Sequence, residues 1–182
     1  MAKKIHLEDL LNFFPEVELP IEITEDLVMT AESVNKVLPK SIIEEYIVKW
    51  EGGESFDEFT EFVPILRIRE AEEFHALIYW KGGLMKYEYI LVTLDKEGNF
   101  ITRKPVASTL SDGNTVKKSV AKIDEDMIIH IMAGENEVDG KYDPARSQAF
   151  NMEILYSGDV REGDDRNESL AYQGENTSFS LG

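Results

Sequence analysis

The sequence predicts an α+β protein that is mainly antiparallel β, a twisted meander sheet or open barrel with N-terminal helices packed on it. Three observations carry this expectation. Apolar residues recur at helical spacing only in the first 50 or so positions. From about residue 60 the apolar period shortens from about 3.6 to about 2, the spacing of a pleated strand. The same region is punctuated by short turn signals at Gly82-Gly83, Asp95–Asn99, Ser111–Asn114 and Asp124–Asp126, which join strands that are neighbours in sequence.

Ile5, Leu7, Leu10, Leu11, Phe13 and Phe14 suit a short amphipathic helix that stops before Pro15. Residues 16–24 read as extended, with Leu19, Ile21 and Ile23 alternating against Glu18, Glu22 and Thr24, and Pro20 places the piece at an edge. A second helix is expected over 41–50, with Ser41 as its cap and Glu44 three positions on. Its apolar stripe is Ile42, Ile43, Tyr46, Ile47 and Trp50, and Gly52-Gly53 ends it. A strand follows over 61–69, where Pro64 predicts a bulge or an edge.

The clearest element is a hairpin over 73–94. Gly82-Gly83 fits a two-residue primed turn, in which both positions need φ > 0. That turn sets Trp80 opposite Met85, Ile78 opposite Tyr87, Ala76 opposite Tyr89 and Phe74 opposite Leu91. These uncharged residues share one face, with Tyr87 expected to be buried. His75, Tyr79, Lys81, Lys86 and Glu88 fall on the other, among Leu77 and Ile90. Further strands are expected at about 99–108, 115–123, 127–133 and 148–156, with a polar loop over 134–144. The whole reads as one domain over 1–182: an N-terminal cover over 1–55, a meander over 60–156 and a polar segment over 157–182. Within the last, Leu170, Tyr172 and Phe179 are the residues expected to fold back.

The run from Tyr87 to Ile101, YEYILVTLDKEGNFI, followed by Asp112-Gly113 and Ile123-Asp124-Glu125-Asp126, resembles uncharacterised bacterial proteins built on a β-meander. The resemblance spans roughly residues 86–132 and implies a fold without an assigned activity. Many such proteins begin with a lipoprotein signal. Here Glu8 and Asp9 interrupt the apolar stretch that a signal would need, so a cytoplasmic location is expected.

Composition narrows the function classes. With no cysteine, disulfides, thiolate metal sites and cysteine nucleophiles are excluded. The net charge is −17, unevenly spread: residues 1–62 carry 15 acids and 5 bases, residues 63–123 carry 7 and 10, and residues 124–182 carry 14 and 4. Acidic flanks repel nucleic acid and anionic lipid, so neither is expected as a partner. They suit a basic protein instead, as an immunity-type or antitoxin-type inhibitor would. A second copy pairing along a free strand edge stays open.

No catalytic, cofactor or metal motif emerges. His6, His75 and His130 are scattered, and no His-x-His, Glu-x-x-His or glycine-flanked serine occurs. Glu135, Glu137, Asp139 and Gly140 mimic the start of a calcium loop, but the twelfth position is Arg146 where a bidentate glutamate belongs, so no calcium site is expected. Carboxylate pairs for hydrolysis are always available among 36 acids, and that abundance points to no particular pair. Two sets of residues are candidates for binding. Phe56, Phe59 and Phe62 lie among acids and form either a docking strip or a plug at the end of the sheet. Trp80, Tyr87 and Tyr89 line either a small-molecule cavity in a barrel or plain core. The leading expectation is a non-enzymatic binding protein with a basic protein partner. A small-molecule-binding barrel is second and a carboxylate hydrolase third.

Overall fold

The computed structural model describes residues 4–53, 55–137 and 146–163. Its helices are α1 (Leu7–Leu11), α2 (Leu27–Val34) and a helical stretch over 40–50, here α3, made of Lys40–Ile42, a π-helical Ile43–Ile47 and Val48–Trp50. Its strands are β1 (Glu16–Val17), β2 (Ile21–Ile23), β3 (Glu61–Ile68), β4 (His75–Gly83), β5 (Lys86–Leu94), β6 (Phe100–Ser111), β7 (Thr115–Ile123), β8 (Ile128–Glu137), β9 (Gln148–Ile154) and β10 (Val160–Glu162).

The strands form one sheet in the order β1-β3-β4-β5-β6-β7-β8-β9-β10, antiparallel except for the parallel β1–β3 pair. The mainly antiparallel meander expected from the turn signals is therefore present, and it does not close into a barrel. β6 pairs with β7 only between Ser108–Ser111 and Val116–Ser119, and β2 then takes over the same edge of β7 at Ala121–Ile123. The sheet thus bends into two halves that face each other. Ile78 and Leu91 of the first half pack with Ile123, Ile129, Met152 and Ile154 of the second, sealed by Ile21 and Ile23 of β2 and Ala31 of α2. A second core lies on the outer face of β4 and β5, where Leu77, Tyr79, Ile90, Val92 and Leu94 meet Leu10 and Phe14 of the first helical region and Ile42, Ile47 and Trp50 of α3.

Several expectations need correction. The extended piece 16–24 is two strands with different partners, β1 beside β3 and β2 beside β7. α2 has no counterpart in the sequence reading, nor does the short β10. α3 starts at Lys40 after Pro39, with no side-chain cap bond from Ser41, and Gly52 and Gly53 end it at φ 85° and 77° as expected. Pro64 does mark a bulge, which exposes two carbonyls that the Asn35 amide satisfies: its Nδ2 donates to Pro64 O at 2.8 Å and Ile65 O at 3.0 Å. β8 runs on to Glu137, so the first four residues of the expected 134–144 loop, Gly134–Glu137, are strand paired back to Thr115–Lys118.

The hairpin is the most informative correction. Its turn is Leu84-Met85, with Met85 at φ 60°, and β4 and β5 pair Trp80 with Tyr89, Ile78 with Leu91 and Ala76 with Thr93. Each partner lies further along β5 than the glycine turn predicts. Because the displacement is an even number of residues, every side chain keeps its face. Gly82 is needed for close approach rather than for positive φ: a Cβ there would lie inside the Trp80 indole. The expected burial of Tyr87 fails, since it sits near the hairpin tip at 43% exposure. The other face, with Tyr79, Leu77 and Ile90, is the one that the helices cover.

Candidate functional site

Trp80, Tyr87 and Tyr89 come together, as their shared face requires, in a surface groove of about 400 Å³ between the start of α2 and strands β4 to β7. Trp80 folds back over Gly82 and stacks on Tyr87, the residue across from that glycine, with ring centroids 5.5 Å apart and planes 18° apart. This aromatic pair lines the groove together with Glu25, Asp26, Val28, Met29, Ser108, Thr109 and Ser119.

Tyr89 is core on its ring side and anchors α2 through its hydroxyl. The Val28 amide donates to that oxygen at 2.8 Å, and the hydroxyl donates to Glu25 O at 3.2 Å. Burial, more than the nearby Asp26 and Glu25 charges, pushes the Tyr89 phenol up to about 12, so it stays a neutral hydrogen-bonding group at ordinary pH. The Ser108 amide donates to Ser119 Oγ at 2.9 Å, and the two hydroxyls lie 3.2 Å apart. On the rim, Lys118 Nζ donates to Glu25 Oε2 at 2.7 Å. The Asp26 carboxylate accepts no hydrogen bond and forms no ion pair among the described residues. The lining is aromatic, hydroxyl and carboxyl side chains with one thioether and Val28, and the Ser108 and Ser119 hydroxyls bond each other.

The phenylalanine strip divides. Phe56 and Phe62 pack edge to face at 4.9 Å, and Phe62 continues to Tyr79 at 6.1 Å, while Phe59 is 54% exposed. Two of the three therefore close the end of the helix-covered core. Beside them lies a cluster that the sequence reading missed. Glu51, just past α3, has a side chain only 4% exposed, and its carboxylate accepts from Tyr79 Oη at 2.5 Å, from Lys81, and from Arg103 Nε at 2.9 Å. Lys81 also sits 5.3 Å above the Phe56 ring. Burial pushes the Glu51 carboxyl up, but the bonds from Lys81, Tyr79 and Arg103 outweigh it and hold it below the usual carboxylate range. Burial, with Glu51 adding to it, drives the Tyr79 phenol far above its usual value. Tyr79 and Arg103 bond its Oε1 and Lys81 its Oε2, so the donors favour the ionised carboxylate and fix its orientation. The cluster is a polar lock between helix and sheet.

Elsewhere the acids expected in turns act as turn residues. Asp124 accepts from the Asp126 and Ile128 amides at 3.0 Å and from His130 Nε2 at 2.7 Å. Of the calcium-like loop, Val138, Asp139 and Gly140 lie outside the described residues, as do Leu170, Tyr172 and Phe179. Glu135, at its start, faces cations, with Arg146 Nη1 at 3.6 Å and Lys117 Nζ at 3.8 Å. Among the described residues no three His, Asp or Glu side chains gather as metal ligands, and no helix is long and apolar enough to cross a membrane. No protein-family model, curated protein or solved structure matches the chain.

Proposed function

We propose that this is a non-enzymatic binding protein whose partner is a basic protein, engaged around the groove beside α2. The observation that carries the reading is the groove itself, where a stacked aromatic pair, half-buried Trp80 on exposed Tyr87, is rimmed by Glu25 and Asp26 on a chain of net charge −17. Aromatic rings beside carboxylates suit a cationic group, which gains from both the ring faces and the charge. The ion pairs add a second line of support. Central bases are answered by flank acids: Arg67 and Arg69 by Glu16, Lys81 and Arg103 by Glu51, Lys104 by Glu162 and Lys118 by Glu25. What is left to face solvent is mainly the acidic surplus. The interior of the bent sheet is filled by its own side chains, so the small-molecule barrel has no comparable support.

The test is a low-salt pull-down from native lysate, followed by binding kinetics on the recovered partner across a salt series. The partner should carry net positive charge, and association should slow as salt rises while dissociation changes less. An acidic partner, or an on-rate indifferent to salt, would remove the basis of the proposal.

A further inference from the structure

The groove beside α2 assigns a more specific role, which rests on the reading above: we infer that it accepts one arginine side chain of a partner segment, and that Lys118 occupies part of that arginine's place in the free protein. The rim holds two acids in different states. Glu25 is taken by Lys118, a residue of a neighbouring strand, whereas Asp26 is exposed and unpaired among the described residues. The walls offer a Trp80–Tyr87 stack and the methionine side chain of Met29, 67% exposed. A guanidinium is the cation that uses all of these, because its planar face stacks on aromatic rings while its fork bonds carboxylates. Its aliphatic stem would lie along the thioether, a surface that adapts to what it meets. Lysine would satisfy the carboxylates but forfeit the stacking. Lys118 already supplies an ammonium to Glu25, so an incoming guanidinium must share or displace it. Acids ahead of a helix also suit the helix dipole, which is why binding, not stability, is the readout that decides.

Calorimetric titration of the full chain with a short arginine-containing, glycine- and serine-rich peptide tests this, alongside the same peptide with citrulline for arginine. Asp26 and Lys118 are both surface residues, so their variants should fold. Asp26→Asn is expected to weaken arginine-peptide binding about threefold, the scale of an exposed ion pair. Lys118→Met is expected to strengthen it by a similar factor, because it frees Glu25 and removes the internal competitor. The citrulline peptide, isosteric but neutral, should not bind. If the arginine peptide binds but neither variant changes its affinity, or citrulline serves equally well, the groove assignment is wrong while the basic-partner reading survives. If the arginine peptide does not bind even at low salt, the groove assignment falls, and the basic-partner reading is decided separately by the pull-down and salt series.

Discussion

The two halves of the bent sheet are built from similar strands but are buried differently. In the first half, β4 and β5 are covered on both faces, by the opposite half within and by α1 and α3 outside; Leu77, Ile78, Ile90, Leu91 and Val92 are all fully buried. In the second half only the inner face is covered. Ile129 and Ile131 are buried while His130 between them and Met132 after them are exposed, and Val120, paired with Met132, is 41% exposed. The difference is only partly written in the residues. Ala76-Leu77-Ile78-Tyr79-Trp80 and Tyr89-Ile90-Leu91-Val92-Thr93-Leu94 are nearly unbroken apolar runs, as doubly buried strands require, and 128–133 is also apolar apart from His130, although its burial alternates. Reading both as alternating strands misses where the helices belong.

The comparison is broken most sharply in the core. Ile90→Ala in the doubly covered half should cost about 2–5 kcal/mol, while Met132→Ala on the open face should stay within about 0.5 kcal/mol. Denaturant midpoints for the two variants measure this. Equal costs would mean that the two halves are not differently buried.

The polar lock ranks next. Glu51→Gln should destabilise by about 1–3 kcal/mol, less than for a fully buried broken pair because Lys81 and Arg103 keep side-chain exposures of 26% and 23%. Its pH dependence has a definite sign. The Glu51 carboxyl is depressed in the fold, so its contribution is complete above the unfolded carboxylate range and is lost as pH falls through the folded value. Chemical denaturation from about pH 6 down to about pH 2, which spans the window below the unfolded carboxylate range where a depressed carboxyl releases its contribution, should show a shallower acid limb in Glu51→Gln than in the parent. An unchanged limb would mean that Glu51 is not held ionised by the fold.

Smaller effects are expected at the groove. Tyr89→Phe removes the hydroxyl shared by the Val28 amide and the Glu25 carbonyl and should cost about 1 kcal/mol. Tyr87→Ala, on a residue 43% exposed, should cost about 1 kcal/mol, the scale of an aromatic stack, rather than the 3–5 kcal/mol of a buried aromatic ring. Thermal or denaturant melts of both variants check these values, and a loss at Tyr87 on the core scale would return that ring to the interior.

How far these features were legible depends on whether their cause is local. Face assignments on β4 and β5 follow from period 2 and survive the wrong turn. The turn itself does not, because Gly82 answers to Trp80 rather than to the backbone. Trp80, Tyr87 and Tyr89 were legible as a set because they share a face. Glu25, Asp26 and Met29 were not, since that segment is brought to the groove by long-range contacts: Val28 and Ala31 on the core and bonds to the Tyr89 hydroxyl and the Lys118 ammonium. Glu51, Lys81 and Arg103 are likewise far apart in sequence and are joined only once α3 docks on the sheet. Nothing in their local sequence distinguishes them from surface charges.

Native-state hydrogen exchange tests the central claim most directly, that a doubly covered half carries a singly covered one. Amides of Leu77–Tyr79 and Ile90–Val92 should exchange only through global unfolding, and those of Ile129–Ile131 and Phe150–Met152 measurably faster, through partial openings. Equal protection across both halves, or slower exchange in β8 and β9 than in β4 and β5, would contradict the account.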